Sequence, residues 1–511
     1  MKNYILLFFV MTCALLIGCQ RQLNIIEEVE IGGIRYFLTG VNKQAEVVSA
    51  TDCSGTLTIP PSVRHKGRKF KVTCIGDRAF NDCSKITIIN LPNGVKRIEE
   101  EAFSNCSSLT AINIPKESKL TSVGEEAFES CENLKAVYIG DIANWCNIDF
   151  LDKTANPLCY AQNLYLNGEL VTNLDLPKST KEIKDHIFYN CTSLTTINIP
   201  EGVTSIGKCA FSGCSSLTAI NIPEGVTSIG NSAFSGCSSL TSINIPKNVT
   251  SIEEWTFSNC TNLVAINIPE SVTSIGESAF SCCRNLKSIT IPKSVTNIER
   301  MAFSSCSSLT NITVTKGNTI YDSRENCNAI IKTANNTLVS GCSTTIIPKG
   351  ITSVGEWAFI GSSLTEITIP ESVTNIEQYA FYRCTDLSCI TILEGLKKIG
   401  HNAFHDCESL TSITIPESVT NIGYFAFEGC SSLASITIPK NVTRIGNYAF
   451  ADCSSLKDIK VLAVIPPSVE FVLSYDHELS NDVLLSVPKE AVSTYKSIFL
   501  WRTTFKDIKG F

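Results

Sequence analysis

Residues 217–237 have the sequence LTAINIPEGVTSIGNSAFSGC, in which two short apolar segments precede a glycine and an Ala-Phe pair. Ile220-Asn-Ile222 alternates apolar and polar residues and ends at a proline, which predicts a short β-strand. Residues 226–229 predict a second short strand, and Gly230 permits the turn after it. We expect one or two helical turns over residues 231–237.

This unit is repeated along most of the chain, with a phenylalanine every 23 residues in its regular part. One unit offers only about five inward apolar side chains, so they are buried only when successive units stack. The sequence therefore predicts a repeat solenoid, mainly β with short helical turns, whose parallel strands lie about 4.8 Å apart. The phenylalanines predicted to form its core are Phe188, Phe211, Phe234, Phe257, Phe280, Phe303, Phe381, Phe404, Phe427 and Phe450.

The chain has 24 cysteines, and thirteen of them stand three residues after a repeated phenylalanine. Neighbours in this column would lie one coil apart with parallel Cβ vectors, which is a poor geometry for a disulfide. We therefore expect most of them to be free thiols that pack as small apolar side chains. Two pairs lie within insertions and stay open as disulfides: Cys146 with Cys159, and Cys327 with Cys342.

The repeat Leu-x-x-Ile-x-Ile-Pro-x-x-Val-x-x-Ile-Gly-x-x-Ala-Phe-x-x-Cys-x-x-Leu resembles the BspA-like type of leucine-rich repeat. Repeats of that type occur on bacterial surfaces, including surface lipoproteins of Bacteroidetes, and in some protist surface proteins. The resemblance covers residues 57–461 with two interruptions. It implies a right-handed leucine-rich-repeat solenoid. It also implies a role in binding, because BspA-like relatives are implicated in adhesion to host matrix proteins and to other cells.

The repeat pattern also sets the expected domain organisation. Solenoids need caps over their terminal coils, and we assign these to the ends where the pattern fades. In the C-terminal cap, a helix is predicted from Pro488 with Val492, Tyr495 and Phe499 on one face. The predicted segments are a signal peptide at 1–18, a lipid anchor and N-terminal cap at 19–56, a solenoid at 57–461 with insertions at 139–176 and 315–345, and a C-terminal cap at 462–511.

The first residues resemble a bacterial lipoprotein signal. A positive start is followed by an apolar run at residues 5–17, which is too short for a spanning helix. Leu16-Ile17-Gly18-Cys19 resembles a lipobox, which implies cleavage before Cys19 and lipidation of that residue. Acyl chains would then hold the protein on a membrane. Gln20-Arg21-Gln22 lacks the acidic tract of some Bacteroidetes lipoproteins. The outer-membrane surface and the periplasmic leaflet both stay open, and we favour the outer surface.

Composition and motifs argue against several functions. The 42 basic and 49 acidic residues are interspersed, with a net charge of −7, so no basic stripe for nucleic acid is present. No nucleophile elbow or phosphate loop occurs. The carboxylates recur once per coil, and Asp141, Asp149 and Asp152 form the least repetitive acidic group. His401 and His405 could hold a surface metal, but we favour two solvated histidines. We therefore predict neither an enzyme nor a cofactor or metal site.

One position of the repeat carries small or polar residues in some copies and large apolar residues in others. The residue before the Ala-Phe pair, or its equivalent, is Ser, Asn or Glu in several coils but a large apolar residue in others. Rigid aromatic residues often supply binding energy, although packing between neighbouring coils is an alternative explanation. We expect the last four such residues to form a patch on consecutive coils. The candidate ligand-binding residues are Trp255, Met301, Trp357, Tyr379, Phe425 and Tyr448.

Two functions follow from these features. The first is an envelope-anchored adhesion module that recognises a protein, such as a host matrix protein or another cell's surface protein, through the solenoid. The second is a glycan-binding surface lipoprotein of a carbohydrate-handling system, in which Trp145, Trp255 and Trp357 stack on sugar rings. Both partners stay open at this point, and a membrane is contacted only through the lipid on Cys19.

Overall fold

The computed structural model describes residues 25–50, 54–469 and 483–511. The chain divides into two compact units. The first comprises the described residues up to residue 161 together with residues 165–169, and the second comprises residues 162–164 and the described residues from 170 onward. Cys19 lies outside the described residues.

The first unit begins with antiparallel strands and continues into parallel coils. Strand Ile25–Ile31 pairs antiparallel with Ile34–Thr39, which pairs with Gln44–Ala50. From Arg68–Ile75 onward the coil strands are parallel, as in the pairing of Ala136–Ile139 with Ala111–Ile114. The other elements are the strands Ser54–Thr58, Ser62–His65, Lys85–Asn90, Arg97–Ile98, Ser122–Val123 and Asp149–Phe150, the 3₁₀ turn Val41–Lys43, and the helices Ile142–Cys146 and Leu158–Ala161. Strands Leu164–Leu166 and Glu169–Leu170 contain residues of both units.

The second unit repeats two parallel strands per coil. The first strands of its coils are Asn173–Asp175, Thr196–Asn198, Ala219–Asn221, Ser242–Asn244, Ala265–Asn267, Ser288–Ile291, Asn311–Val314, Glu366–Ile369, Cys389–Ile392, Ser412–Ile413, Ser435–Ile438 and Asp458–Val461. The second strands are Glu182–Ile183, Ser205–Ile206, Ser228–Ile229, Ser251–Ile252, Ser274–Ile275, Asn297–Ile298, Ser353–Val354, Asn375–Ile376, Lys398–Ile399, Asn421–Ile422 and Arg444–Ile445.

In the regular coils of the second unit, strand register follows the repeat without slippage. Ile220 pairs with Ile197 on one side and Ile243 on the other, and all three are buried. A shift of one residue would turn this buried column outward, so the apolar pattern fixes the register. The predicted β-solenoid, with roughly 23 residues per coil and little helix, is confirmed.

The turn after the second strand differs from the predicted helical turns. Residues 231–237 are not α-helical. Ser232 and Gly236 have left-handed φ angles of 57° and 72°. The N–H groups of Ser232, Phe234 and Gly236 donate to carbonyls of the next coil at 2.9, 3.0 and 2.7 Å. Bonds between coils therefore replace the i→i−4 bonds of an α-helix.

The interior of the second unit contains a column of stacked phenylalanine rings. Phe234 is fully buried and lies 5.5 Å from Phe211 and 5.7 Å from Phe257, with nearly parallel planes. Each of the ten predicted core phenylalanines is buried. Offset aromatic stacking adds to the free energy of burying these side chains.

Buried thiols accompany the rings. Cys237 Sγ donates to the carbonyl of Phe211 at 3.2 Å, and Cys260 Sγ donates to that of Phe234 at the same distance. The thiol thus fills a small apolar space and also satisfies a carbonyl of the preceding coil. Among the pairs left open as disulfides, Cys146, Cys327 and Cys342 carry free thiols, so neither bridge forms.

One coil of the second unit lacks the phenylalanine turn. Strand Ala329–Lys332 pairs antiparallel with Tyr321–Asp322 and with Thr337–Gly341, and the 3₁₀ turn Arg324–Asn326 precedes it. Gly341 then donates to the carbonyl of Ala358 at 2.8 Å. This hairpin stands where other coils carry an Ala-Phe pair.

The C-terminal helix prediction was wrong in one respect. Helices Val492–Ser497 and Phe499–Thr504 are separated by Ile498, whose backbone is extended, and this break rotates the second helix. Tyr495 is therefore buried, whereas Phe499 is 65% exposed. The remaining elements of this end are the strands Leu484–Val487 and Asp507–Gly510 and the 3₁₀ turn Lys489–Ala491.

Candidate binding surface on the turns

Each regular coil places two residues in the left-handed backbone region, on either side of the phenylalanine. The second of these positions carries mainly the residues that favour positive φ, namely Gly, Asn and Asp. Its members include Asp82, Asn105, Asn190, Gly213, Gly236, Asn259, Gly361, Asp406, Gly429 and Asp452.

The first left-handed position contains the predicted binding residues. It has no glycine among the described coils, and its only asparagine is Asn402. A left-handed conformation costs an L-residue roughly 1–2 kcal/mol, and bulky side chains rarely adopt it. Large side chains here therefore oppose the local backbone preference. The six candidates have φ of 56–59°: Trp255, Met301, Trp357, Tyr379, Phe425 and Tyr448.

All six side chains reach the surface at least in part. Trp255 is 43% exposed, and the other five are half-buried. Packing between coils explains part of their contacts. Trp357 stacks on Tyr379 with centroids 3.8 Å apart, and Phe425 stacks on Tyr448 at 5.3 Å.

The first pair belongs to a larger aromatic cluster. Tyr382 meets Trp357 edge-on at 6.1 Å and Tyr379 at 5.7 Å, and it stacks on His405 at 4.8 Å. We call these four residues, Trp357, Tyr379, Tyr382 and His405, the aromatic strip. Sequence reasoning missed Tyr382 and His405. The signal was available, because both directly follow the repeated phenylalanine of their coils.

Charged groups border the aromatic strip. His405 Nδ1 lies 2.9 Å from Glu428 Oε2, and Arg383 lies over the Tyr382 ring at 5.4 Å. Burial raises the pKa of the Glu428 carboxyl above its usual value, and His405 partly offsets this shift. The aromatic strip is thus bordered by one acidic side chain, Glu428, and one basic side chain, Arg383.

The expected continuous patch is interrupted. Asn402 occupies the left-handed position between Tyr379 and Phe425. The four candidates therefore form two stacked pairs separated by one coil, and the expectation of four consecutive coils was wrong.

A cavity of about 200 Å³ adjoins the aromatic strip where the phenylalanine column is broken. Phe303 and Phe359 both line it, as does Gly341 at the end of the hairpin strand. The two phenylalanine turns are also joined directly, since the Ser305 N–H donates to the Ile360 carbonyl at 2.9 Å. Met301 and Trp357 also line the cavity, so two of the six candidates belong to it. The cavity thus lies beside the irregular coil that contains the hairpin.

Other sequence candidates have structural roles. Trp145 is 1% exposed and packs against Phe150, so its ring is not available to a sugar. Asp141 caps the helix Ile142–Cys146 by accepting from the Asn144 N–H at 3.0 Å. Asp152 accepts from the N–H of Glu126 at 3.2 Å. Asp141 and Asp152 therefore accept hydrogen bonds from backbone N–H groups, which is a structural role.

The two spaced histidines do not share a ligand site. His401 Nδ1 accepts from the Tyr424 N–H at 2.8 Å, whereas His405 faces Glu428. Within the described ranges, no group of three or more His, Cys, Asp or Glu side chains is arranged to hold a metal ion.

Comparison with known protein families accounts for the repeat. A model of the BspA type leucine-rich repeat region matches residues 68–150, 161–252, 227–340 and 336–457. The chain belongs to this family. Leucine-rich repeats of this kind are typically non-enzymatic binding scaffolds, and BspA-like homologues are cell-surface proteins.

Solved structures of related repeats are similar to the chain. A leucine-rich cell surface protein of Faecalibacterium prausnitzii is 29% identical, covering 85% of this chain and 94% of that one, with a TM-score of 0.46. A leucine-rich repeat protein of Bacteroides ovatus is 28% identical over 87% and 99%, with a TM-score of 0.44. The pneumococcal vaccine antigen PcpA is 18% identical over 96% and 99%, with a TM-score of 0.40.

No curated protein matches the chain significantly. In the part of the chain that the structure describes, every helix is too short or too polar to cross a bilayer.

Proposed function

We propose that this protein is an envelope-anchored adhesion module that binds a protein partner through the aromatic strip and the adjoining cavity. The observation that carries the proposal is the choice of Trp357 and Tyr379 at left-handed backbone positions. These residues cost local stability where Asn or Gly would relieve it. Selection for a surface contact accounts for that cost, because rigid aromatic residues contribute strongly to protein interfaces.

The shape of the site favours a protein over a glycan. Tyr379 covers one face of Trp357 at 3.8 Å, which leaves less ring surface for stacking on a sugar. A protein partner can instead contact ring edges and insert one side chain into the cavity beside Met301. The framing charges of Glu428 and Arg383 suit the polar rim of a protein interface.

Attachment through a lipid on Cys19 is the second part of the proposal. It would present the solenoid at the cell envelope, with the outer-membrane surface favoured. The lipobox-like Leu16-Ile17-Gly18-Cys19 supports this part.

The binding proposal is tested by first screening the purified protein against extracellular matrix and serum proteins, with a glycan array in parallel. The double variant Trp357→Ser and Tyr379→Ser is then compared with the parent for the protein that binds. We expect near-normal folding, since other coils carry serine there, and at least a thirtyfold loss of affinity, or about 2 kcal/mol.

A matched control is Tyr138→Ser, which removes a half-buried tyrosine that stacks on Tyr165 in the first unit. This variant should retain binding. Equal affinity of the parent and the double variant would contradict the proposal, as would a response on the glycan array alone.

A further inference from the structure

A notch of about 180 Å³ lies on the three successive coils that contain Lys398, Asn421 and Arg444. It is lined by hydrogen-bond donors. Lys398, Asn421 and Arg444 occupy the same position of three successive parallel strands, in register. Adjacent strands lie about 4.8 Å apart, so the two cationic residues flank the amide at single coil spacings. None of the residues that line the notch is acidic.

His401 completes the set of donors. Its Nδ1 accepts from the Tyr424 N–H at 2.8 Å, so the proton of the neutral ring is on Nε2. The imidazole stacks on the Tyr424 ring at 4.7 Å. Burial lowers the pKa of His401, and the charges of Lys398 and Arg444 lower it further. The nearby field is therefore positive, although the whole chain carries a net charge of −7.

Arg444 is held in place without being neutralised. Its guanidinium lies 5.4 Å above the Tyr424 ring, on which His401 also stacks, and it donates to the tyrosine hydroxyl. These contacts hold the Arg444 guanidinium in one orientation and leave most of its five N–H donors available.

An equivalent coil of the same chain contains an acidic partner for its arginine, whereas the coil of Arg444 does not. Arg97 precedes the isoleucine of its second strand, as Arg444 does, and its Nε lies 2.8 Å from Glu99. The residue at the position of Glu99 is Gly446 in the coil of Arg444. Within the described residues, neither Arg444 nor Lys398 forms an ion pair. The carboxylate that pairs with Arg97 thus has no counterpart at the same position in the coil of Arg444.

We propose that Lys398, His401, Asn421 and Arg444 form a binding site for an oxyanion, the carboxylate or phosphate group of a ligand. A guanidinium, an ammonium, an amide and an imidazole N–H converge there, and charge-assisted bonds to oxyanions are the strong ones. The site is separate from the aromatic strip and does not depend on the proposed protein partner.

The test follows the ring of His401 in the full chain by NMR, with ¹³C-labelled histidine, as sodium acetate or inorganic phosphate is added at constant ionic strength. Only five histidines contribute signals. We expect a saturable shift of the His401 signal and a rise in its pKa, because a bound anion stabilises the imidazolium. Saturation by phosphate alone identifies a phosphate site, and saturation by acetate shows that a carboxylate suffices.

Arg444→Gln and Lys398→Gln should each weaken this binding at least tenfold. Lys397→Gln is the matched control, because it removes the same charge one residue away, outside the notch. Asn421→Asp is a second variant, since it places a negative charge between the two cations and should abolish binding. Linear, non-saturating shifts with both anions would overturn the site, as would equal affinities of Arg444→Gln and Lys397→Gln.

Discussion

The thiol of Cys237 donates a hydrogen bond to the backbone carbonyl of Phe211, 3.2 Å away in the preceding coil. The same bond recurs at Cys260 and Cys283 with the phenylalanine carbonyls behind them. The cysteine and phenylalanine columns are therefore coupled parts of one core. A cysteine-rich solenoid of this kind does not need a disulfide framework, because coil stacking already buries its apolar surface.

We predict that the column thiols are unreactive while the fold is intact. Burial raises the pKa of Cys260 to about 12, so almost no thiolate is present near pH 8. Iodoacetamide at that pH should modify the exposed Cys389 but not Cys237 or Cys260, as measured by peptide mass spectrometry. In 6 M guanidinium all three should react. Rapid modification of Cys260 in the native protein would contradict the thiol column as a buried core.

Loss of one ring should damage the array locally. Phe234→Ala removes a fully buried side chain between two stacked neighbours and should destabilise its region by about 3–5 kcal/mol. Because coils contact mainly their neighbours, hydrogen exchange should accelerate over residues 211–257 before other parts of the second unit. Phe499→Ala is the control, since that side chain is largely exposed. Unchanged protection around residue 234 would show that the ring column does not stabilise the coil.

The repeat period was enough to predict the solenoid, because every coil must bury the same apolar positions. The left-handed turn was missed for a definite reason. Positive φ is usually signalled by Gly or Asn in the sequence, but this turn position carries Trp357 and Tyr448, which do not indicate a left-handed backbone. The cavity was missed although Phe303 and Phe359 are 56 residues apart, more than two periods of 23, which already indicates an irregular coil. Its opening depends on how the hairpin packs, which periodicity does not specify.

Membrane attachment is predicted to depend on Cys19. Cys19→Ala removes the only residue at which the lipobox-like signal could place a lipid, and acyl chains are the proposed anchor. The variant expressed in its native envelope should leave the membrane fraction or accumulate unprocessed, as followed by fractionation and the mass of the N-terminal peptide. Cys389→Ser, which changes an exposed thiol, should fractionate as the parent does. Full retention of processed Cys19→Ala in the membrane would contradict lipid anchoring.

The last prediction separates stability from binding at Met301, which has a φ of 59° and lines the cavity. Asparagine tolerates this conformation far better than methionine, and Asn402 already occupies the same position in another coil. Met301→Asn should therefore raise the free energy of unfolding by up to about 1 kcal/mol, because it relieves left-handed strain.

The same change should weaken the proposed partner's binding by roughly tenfold, since it removes an apolar wall of the cavity. Urea unfolding and affinity for the protein found in the matrix and serum screen give the two readouts. Ser232→Asn is the control, because it makes the same residue at the same, half-buried turn position in a coil outside the cavity, where binding should not change. If Met301→Asn instead destabilised the fold by more than about 1 kcal/mol, methionine would be a packing residue and the strain at this position would need no functional explanation.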